Sequence, residues 1–301
     1  MPSPGSTFLR DLYAGWLQRL GANPEMDIAT VRDIFEEWHL PTLEAPGVSY
    51  ENVSAGSTPA IWCTPAGAAT DRVLLYFHGG GCVVGSMYSH RKLGGHLARA
   101  AGTRALVLDF RRAPEQQFPS QIDEGVAVYR WLLDQGIEPG HIATIGDSAG
   151  GNLAITVPLK LRDLGLPRPG AMVPISPWID LELSLETFES RAATDAIWAR
   201  PLWEQMVTTY LGSASPKDPL ATPLNADLTG LPPAYCAAGD DEVLVGPTAA
   251  FAALAEKAGV DVTLHVEPGM QHVYQCLAGR APEADASVKA IGNWLRPRLG
   301  L

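Results

Sequence analysis

The stretch Gly146-Asp147-Ser148-Ala149-Gly150-Gly151 constrains this chain more than any other. Residues 142–145 in front of it form an apolar run that reads as a buried strand. Residues 152–157 behind it are apolar enough to begin a helix against a sheet. G-x-S-x-G between a strand and a helix makes a sharp turn that presents the serine at its tip. Small residues are required two positions either side, because a Cβ there would meet the neighbouring strand or helix. A glycine-rich turn with an idle serine shows the same local pattern. The case for a nucleophile therefore rests on what the remainder of the chain supplies.

Ahead of any strand, Phe8, Leu9, Leu12, Tyr13, Trp16, Leu17 and Leu20 predict a helix over 8–20 with one broad apolar face. Asn23-Pro24 ends it, and a second helix is expected over 28–38. Strands are expected at 48–53, 60–63, 73–77 and 105–110. The last two are near-continuous hydrophobic runs, as suits parallel strands buried on both faces. Helices are expected at 93–101 and 122–133. After the serine turn come strands at 171–175, 234–238 and 260–266, with helices at 248–258 and 284–295. This alternation implies an α/β class protein with a mostly parallel, doubly wound sheet. Residues 181–231 interrupt it with helix-prone sequence and no strand. A single domain over 1–301 is expected, with a helical cap from about 1–45 and 181–231 over the strand ends.

The 301 residues suffice for a large core, and a net charge of −11 argues against nucleic acid or anionic membrane as partners. There is no apolar run of about 18 residues, so no membrane span is expected. Met1-Pro2-Ser3-Pro4-Gly5 has no basic region before an apolar stretch, so no signal peptide is visible. Cys63, Cys82, Cys236 and Cys276 form no C-x-x-C pair and show no zinc-ligand spacing. No metal is expected, and a reducing cytoplasm is the default location. Assembly as a homodimer is compatible with the sequence.

An unactivated serine is a poor nucleophile, so Ser148 needs a base, an orienting acid and donors for a developing anion. On a fold of this kind the chain order is serine, acid, histidine. His265 and His272 alone lie late enough. His265 shares the polar face of its alternating strand with Asp261 and Thr263, which implies solvation. His272 follows Pro268-Gly269-Met270-Gln271 in a loop after that strand, where catalytic groups sit on open α/β sheets, and is the base. The acid belongs where strand 234–238 ends, at Gly239-Asp240-Asp241-Glu242. Spacing does not choose among the three carboxylates. Donors for an oxyanion are expected from the Ala149 amide and the glycine loop His78-Gly79-Gly80-Gly81, with Gly80 and Gly81 supplying theirs. His78 reads as a structural histidine anchoring that loop.

H-G-G-G, then Asp109-Phe110-Arg111-Arg112-Ala113-Pro114-Glu115, then G-D-S-A-G-G together resemble the hormone-sensitive-lipase-like family of α/β-hydrolases. Ser176-Pro177-Trp178-Ile179-Asp180, Leu231-Pro232-Pro233 and Gly269-Met270-x-His272 fit the same resemblance, which runs from about Arg72 to the C-terminus. It implies an α/β-hydrolase fold with a helical cap, carboxylesterase chemistry on a small-molecule ester, and no cofactor. In relatives with a G-x-D-E-x-L segment the aspartate before the glutamate is the acid. That carries over to Asp241, with Asp240 second.

Cys82 stands where an aromatic is common in the family, and Gly246-Pro247 where acidic residues are common. Pro158 falls inside the helix after the serine, where it removes a hydrogen bond and crowds the carbonyl of Ala154. Cys82, Trp178, Trp198, Trp203, Met206 and Tyr274 are the expected substrate-binding residues. Trp16, Trp38, Trp198 and Trp203 in the cap favour a short pocket and acyl groups of about two to eight carbons. The leading reading is a serine carboxylesterase working through an acyl-enzyme. Hydrolysis of N-acetylated small molecules is the alternative, since the same triad serves it. A binding module that has lost catalysis is disfavoured because serine, acid and histidine are all present.

Overall fold

A computed structural model describes residues 3–301. Its eight strands form one sheet in the order β1-β2-β4-β3-β5-β6-β7-β8. β1 (Val48–Ala55) and β2 (Thr58–Pro65) form an antiparallel hairpin, and β2 runs antiparallel to β4 (Thr103–Leu108). From β4 onward all pairings are parallel, through β3 (Ala69–Phe77), β5 (Ile142–Asp147), β6 (Ala171–Ile175), β7 (Ala234–Gly239) and β8 (Val262–Glu267). β5, β6 and β7 are buried at every residue, Thr144 and Asp147 of β5 included, as expected of central strands in a parallel sheet.

Two helix groups cover the sheet: α3 (Met87–Ala101) packs with α9 (Pro282–Arg298), and α4 (Ser120–Asp134) packs with α5 (Ala149–Asp163). α8 (Val245–Lys257) lies against β7 and β8. α1 (Pro4–Ala22) and α2 (Ile28–Glu36) precede the sheet. The insertion between β6 and β7 holds α6 (Thr187–Ser190) and α7 (Arg200–Leu211) and no strand.

Several boundaries differ from the sequence expectation, and three of them have a local physical reason. α3 begins six residues before 93, because Ser86 accepts the amides of Tyr88 and Ser89 while Ser89 Oγ accepts the Ser86 amide. That reciprocal cap stabilises a first turn whose polar residues hide the helical pattern. The second helix stops at Glu36 and tightens into a 3₁₀ turn over Glu37–His39. Phe110 lies outside β4 and stacks on His78, with ring centroids 4.2 Å apart.

Pro158 sits within α5, which continues to Asp163. The Ala154 carbonyl, deprived of its i+4 amide, accepts instead from Thr144 Oγ1 of β5 at 2.8 Å. Thr144 is fully buried, so replacing it with isosteric valine leaves that carbonyl unsatisfied. Thr144→Val should destabilise the fold by about 1–3 kcal/mol in denaturant unfolding. Wild-type stability in this variant would show that the carbonyl needs no partner.

Candidate active site

Ser148 occupies the turn between β5 and α5 with φ 53° and ψ −119°, a backbone state that L-residues rarely adopt. The turn is held by the Ser148 amide on the Ile175 carbonyl (2.9 Å) and by the Trp178 amide on the Ser148 carbonyl (2.9 Å). A Cβ at Gly150 would lie 2.0 Å from the Phe77 carbonyl oxygen, and one at Gly146 would lie 2.3 Å from that of Gly150. Only glycine permits this approach at either position. Asp147, immediately before the serine, is fully buried; Tyr76 donates to its Oδ1 (2.6 Å) and His90 Nε2 lies 3.3 Å from its Oδ2. Burial acts to raise the Asp147 pKa, but His90 and the Tyr76 hydroxyl outweigh it and hold it below the ordinary value.

The glycine loop after β3 lies beside this turn. Gly80 and Gly81 have φ of +109° and +62°. The Gly80 carbonyl accepts the amides of Val83 (3.0 Å) and Val84 (2.9 Å). Among the described residues the Gly80 and Gly81 amides donate to no protein backbone acceptor, so they are available to an anion. Buried His78 bonds the Gly79 carbonyl through Nδ1, and burial pushes its pKa down to about 3, so it is neutral. The loop is braced by Arg32 of α2, which donates to the carbonyls of Val83 and Ala113 while pairing with Glu115 at 2.7 Å.

His272 follows β8 in a loop held by α1: Tyr13 donates to the His272 carbonyl (2.8 Å) and Ser6 to that of Gly269 (2.7 Å). Trp203 stacks edge-on against both His272 (6.2 Å) and Trp178 (6.0 Å), whose amide holds Ser148. His265 instead pairs with Glu267 at 2.9 Å and is half-buried.

The structure departs from the expectation at the acid. The partner of His272 Nδ1 is Glu242 Oε2, not Asp241. Glu242 is fully buried, and its Oε1 accepts from Ser176 Oγ (2.7 Å) and the Gly239 amide (2.8 Å). Asp241 turns toward Arg10 (3.9 Å) and Asp240 pairs with Arg191 (2.7 Å), both away from the imidazole. Leaving β7, the chain turns outward over the two aspartates and re-enters at Val243 and Leu244, both fully buried. Glu242 adjoins that apolar pair and is carried inward with it. Burial works to lower the His272 pKa, yet the carboxylates of Glu242, Asp195 and Asp147 outweigh it and raise it above the ordinary value. Asp195, missed in the sequence, is a buried carboxylate of the insertion whose own pKa burial lifts to about 6.

The pocket residues divide. Met206 lines a cavity of about 590 Å³ together with Leu17, Met26, Val31, Val84 and Leu202. Its Sδ lies 2.9 Å from where a Gly81 Cβ would stand, so the cavity adjoins the glycine loop. None of the tryptophans lines it. Trp16, Trp38, Phe35 and Tyr13 form an aromatic cluster, with Trp38 edge-on to His272 at 6.5 Å. Trp198 packs on Phe188 and Arg200. Cys82 is buried with its thiol beside the Tyr210 hydroxyl, and Tyr274 is fully buried on the Ser287 side of its loop. Both are displaced from the cavity because their loops turn those side chains into the core. At Gly246, a Cβ would lie 2.2 Å from Thr187 Oγ1 of α6, which accounts for the missing acidic residue there.

A strained serine on a strand–helix turn, free amides on a glycine loop and a buried carboxylate–imidazole pair after β7 and β8 define an α/β-hydrolase. The chain belongs to that family, within its hormone-sensitive-lipase-like branch. The family model for the alpha/beta hydrolase fold matches residues 74–276. An acetyl-hydrolase of Streptomyces hygroscopicus is 37% identical over 93% of this chain and 98% of that protein. The carboxylesterase NlhH of Mycobacterium tuberculosis is 34% identical over 74% of this chain and 72% of its own length. Among solved structures, an esterase from the bacterial hormone-sensitive lipase family superposes with a TM-score of 0.93 at 39% identity, covering all of both chains.

Glu242→Gln should cut kcat by about 10³-fold, whereas Asp241→Asn should stay within about threefold of wild type. Steady-state kinetics on p-nitrophenyl butyrate decide it, and the reverse order would restore Asp241 as the acid.

Proposed function

We propose that this chain hydrolyses short-to-medium acyl esters of soluble small molecules through an acyl-enzyme formed on Ser148. Hydrolysis of carboxylic esters is the activity its family membership carries. The observation that carries the mechanism is the buried Glu242–His272 contact, in a chain whose Ser148 takes the strained turn conformation. In this reading His272 takes the Ser148 hydroxyl proton as Oγ attacks the ester carbonyl carbon. The amides of Gly80, Gly81 and Ala149 hold the tetrahedral oxyanion. Collapse breaks the bond to the alcohol, which leaves with the proton from His272. Water, activated by the same imidazole, then releases the acid and restores Ser148. Glu242 stabilises the imidazolium each time it forms.

The cavity of about 590 Å³ is lined by none of Ser148, Glu242 and His272, but it adjoins the glycine loop and is within the usual range of small-ligand sites, which supports acceptance of small esters. Residues 3–45 and 181–231 act as the cap of a single catalytic domain in this proposal, since they supply α1, α2 and α7 to the cavity wall. Four buried, unpaired cysteines support a reducing, cytoplasmic location. Among the described residues no helix is long and apolar enough to cross a membrane. A second reading is hydrolysis of an acetyl amide; the acetyl-hydrolase relative supports its acetyl part. Parallel assays on p-nitrophenyl acetate and an acetanilide separate the two.

Ser148→Ala should abolish fluorophosphonate labelling and hydrolysis. Wild type should prefer butyrate to palmitate esters in kcat/KM, and preference for the sixteen-carbon ester would refute the short-chain reading. The base must be neutral, and its pKa is raised, so kcat/KM should climb through a midpoint above about pH 6.5. Glu242→Gln removes the charge that favours imidazolium and should move the residual activity's midpoint to lower pH. A flat profile between pH 5 and 8 would count against histidine as the base.

A further inference from the structure

The two loops that carry Glu242 and His272 are each hydrogen-bonded to one short segment of the β6–β7 insertion. On the acid side, Asp195 Oδ2 accepts the Val243 amide at 2.8 Å and Thr187 Oγ1 donates to the Val243 carbonyl at 2.8 Å. Thr194 Oγ1 donates to the Asp241 carbonyl at 3.1 Å. Glu242 is thus flanked on both sides by backbone held from the insertion. On the base side, Gln271 spans the same segment: its Oε1 accepts the Ala196 amide and its Nε2 donates to the Thr194 carbonyl, both at 2.9 Å. Arg10 of α1 adds a bond to the Thr194 carbonyl at 2.7 Å. Asp195 Oδ1 accepts the Ile197 amide at 3.0 Å, so both its oxygens are occupied by backbone donors.

We propose that residues 194–197 form a clasp that sets the Glu242–His272 geometry, with Asp195 and Gln271 as positioning residues for the reaction. The inference rests on Ser148, Glu242 and His272 acting as the triad. The physical reason for a carboxylate at 195 is twofold. An oxygen acceptor fixes the amide next to Glu242, and its negative charge favours the imidazolium that forms during turnover. The charged groups around His272 are Glu242 on the β7 loop, Asp195 on the insertion and Asp147 on β5. The arginines on the adjoining elements are engaged elsewhere: Arg10 lies by Asp241 and Arg191 by Asp240. Trp38 and Trp203 close the remaining sides with apolar rings. Above its own pKa of about 6 the charge at 195 acts on the imidazole through space as well as through geometry, whereas cutting Gln271 acts only through geometry.

The test compares Asp195→Asn and Gln271→Ala with wild type, using p-nitrophenyl butyrate hydrolysis from pH 5 to 9, fluorophosphonate labelling and thermal unfolding. In Asp195→Asn the side-chain amide would turn a donor toward one of the two backbone amides that the carboxylate accepts. Asp195→Asn should lower kcat by about tenfold with KM within threefold, and move the acid-limb midpoint down by about half a pH unit. Gln271→Ala should lower kcat about fivefold and leave the midpoint in place, because no charge is lost. A folded Asp195→Asn enzyme with the wild-type kcat and midpoint overturns the proposal. If that variant does not fold, Gln271→Ala decides alone, and unchanged kcat overturns it. A wild-type protein that fluorophosphonate does not label refutes the triad, and the clasp with it. Labelled wild type beside unaffected variants refutes the clasp only.

Discussion

The site depends on one contact made out of water, between the carboxylate of Glu242 and the imidazole of His272. Moving a carboxylate into the interior costs several kcal/mol of lost hydration. Here the loss is offset by three donors: His272 Nδ1, the Ser176 hydroxyl and the Gly239 amide. Such an arrangement is stable only if the loops carrying the two groups cannot drift apart. That requirement explains why backbone groups around both residues are tied to α1 and the β6–β7 insertion.

The insertion and the N-terminal helices therefore do more than cover the site. Their aromatic side chains pack on His272 and lower the local polarity, which strengthens every charge interaction behind it. Their aliphatic side chains, from Leu17, Met26 and Val31 across to Leu202 and Met206, leave the cavity beside the glycine loop. Tryptophans of these segments pack on the core, and the smaller residues line the cavity. Arg32 of α2 braces the glycine loop, so the cavity wall and that loop share one support.

The serine turn shows a second division of labour. Its strain is held by the sheet on one side and by α5 on the other, at distances that leave no volume for side chains at Gly146 or Gly150. Pro158 breaks the helical ladder of α5, and the sheet repairs it through the Thr144 hydroxyl. A helix read alone would show a defect there; against β5 the defect is satisfied.

The sequence by itself determined the alternating strands and helices, the serine turn, the glycine loop and His272 as the base candidate. Each rests on a local rule: hydrophobic period, glycine where backbone approaches backbone, and position after a parallel strand. The start of α3 was hidden because its cap lies in a reciprocal serine pair that a search for apolar periodicity passes over. Tertiary structure alone decided which of Asp240, Asp241 and Glu242 meets the imidazole. Three adjacent carboxylates have the same chemistry, and the direction each takes depends on how the turn after β7 docks against the core. The same holds for the pocket. Trp198, Tyr274 and Cys82 carry suitable side chains, but packing turns them away from the cavity while Met206 stays at its wall. Asp195 has no motif at all; its place beside His272 exists only because the insertion folds back onto both loops.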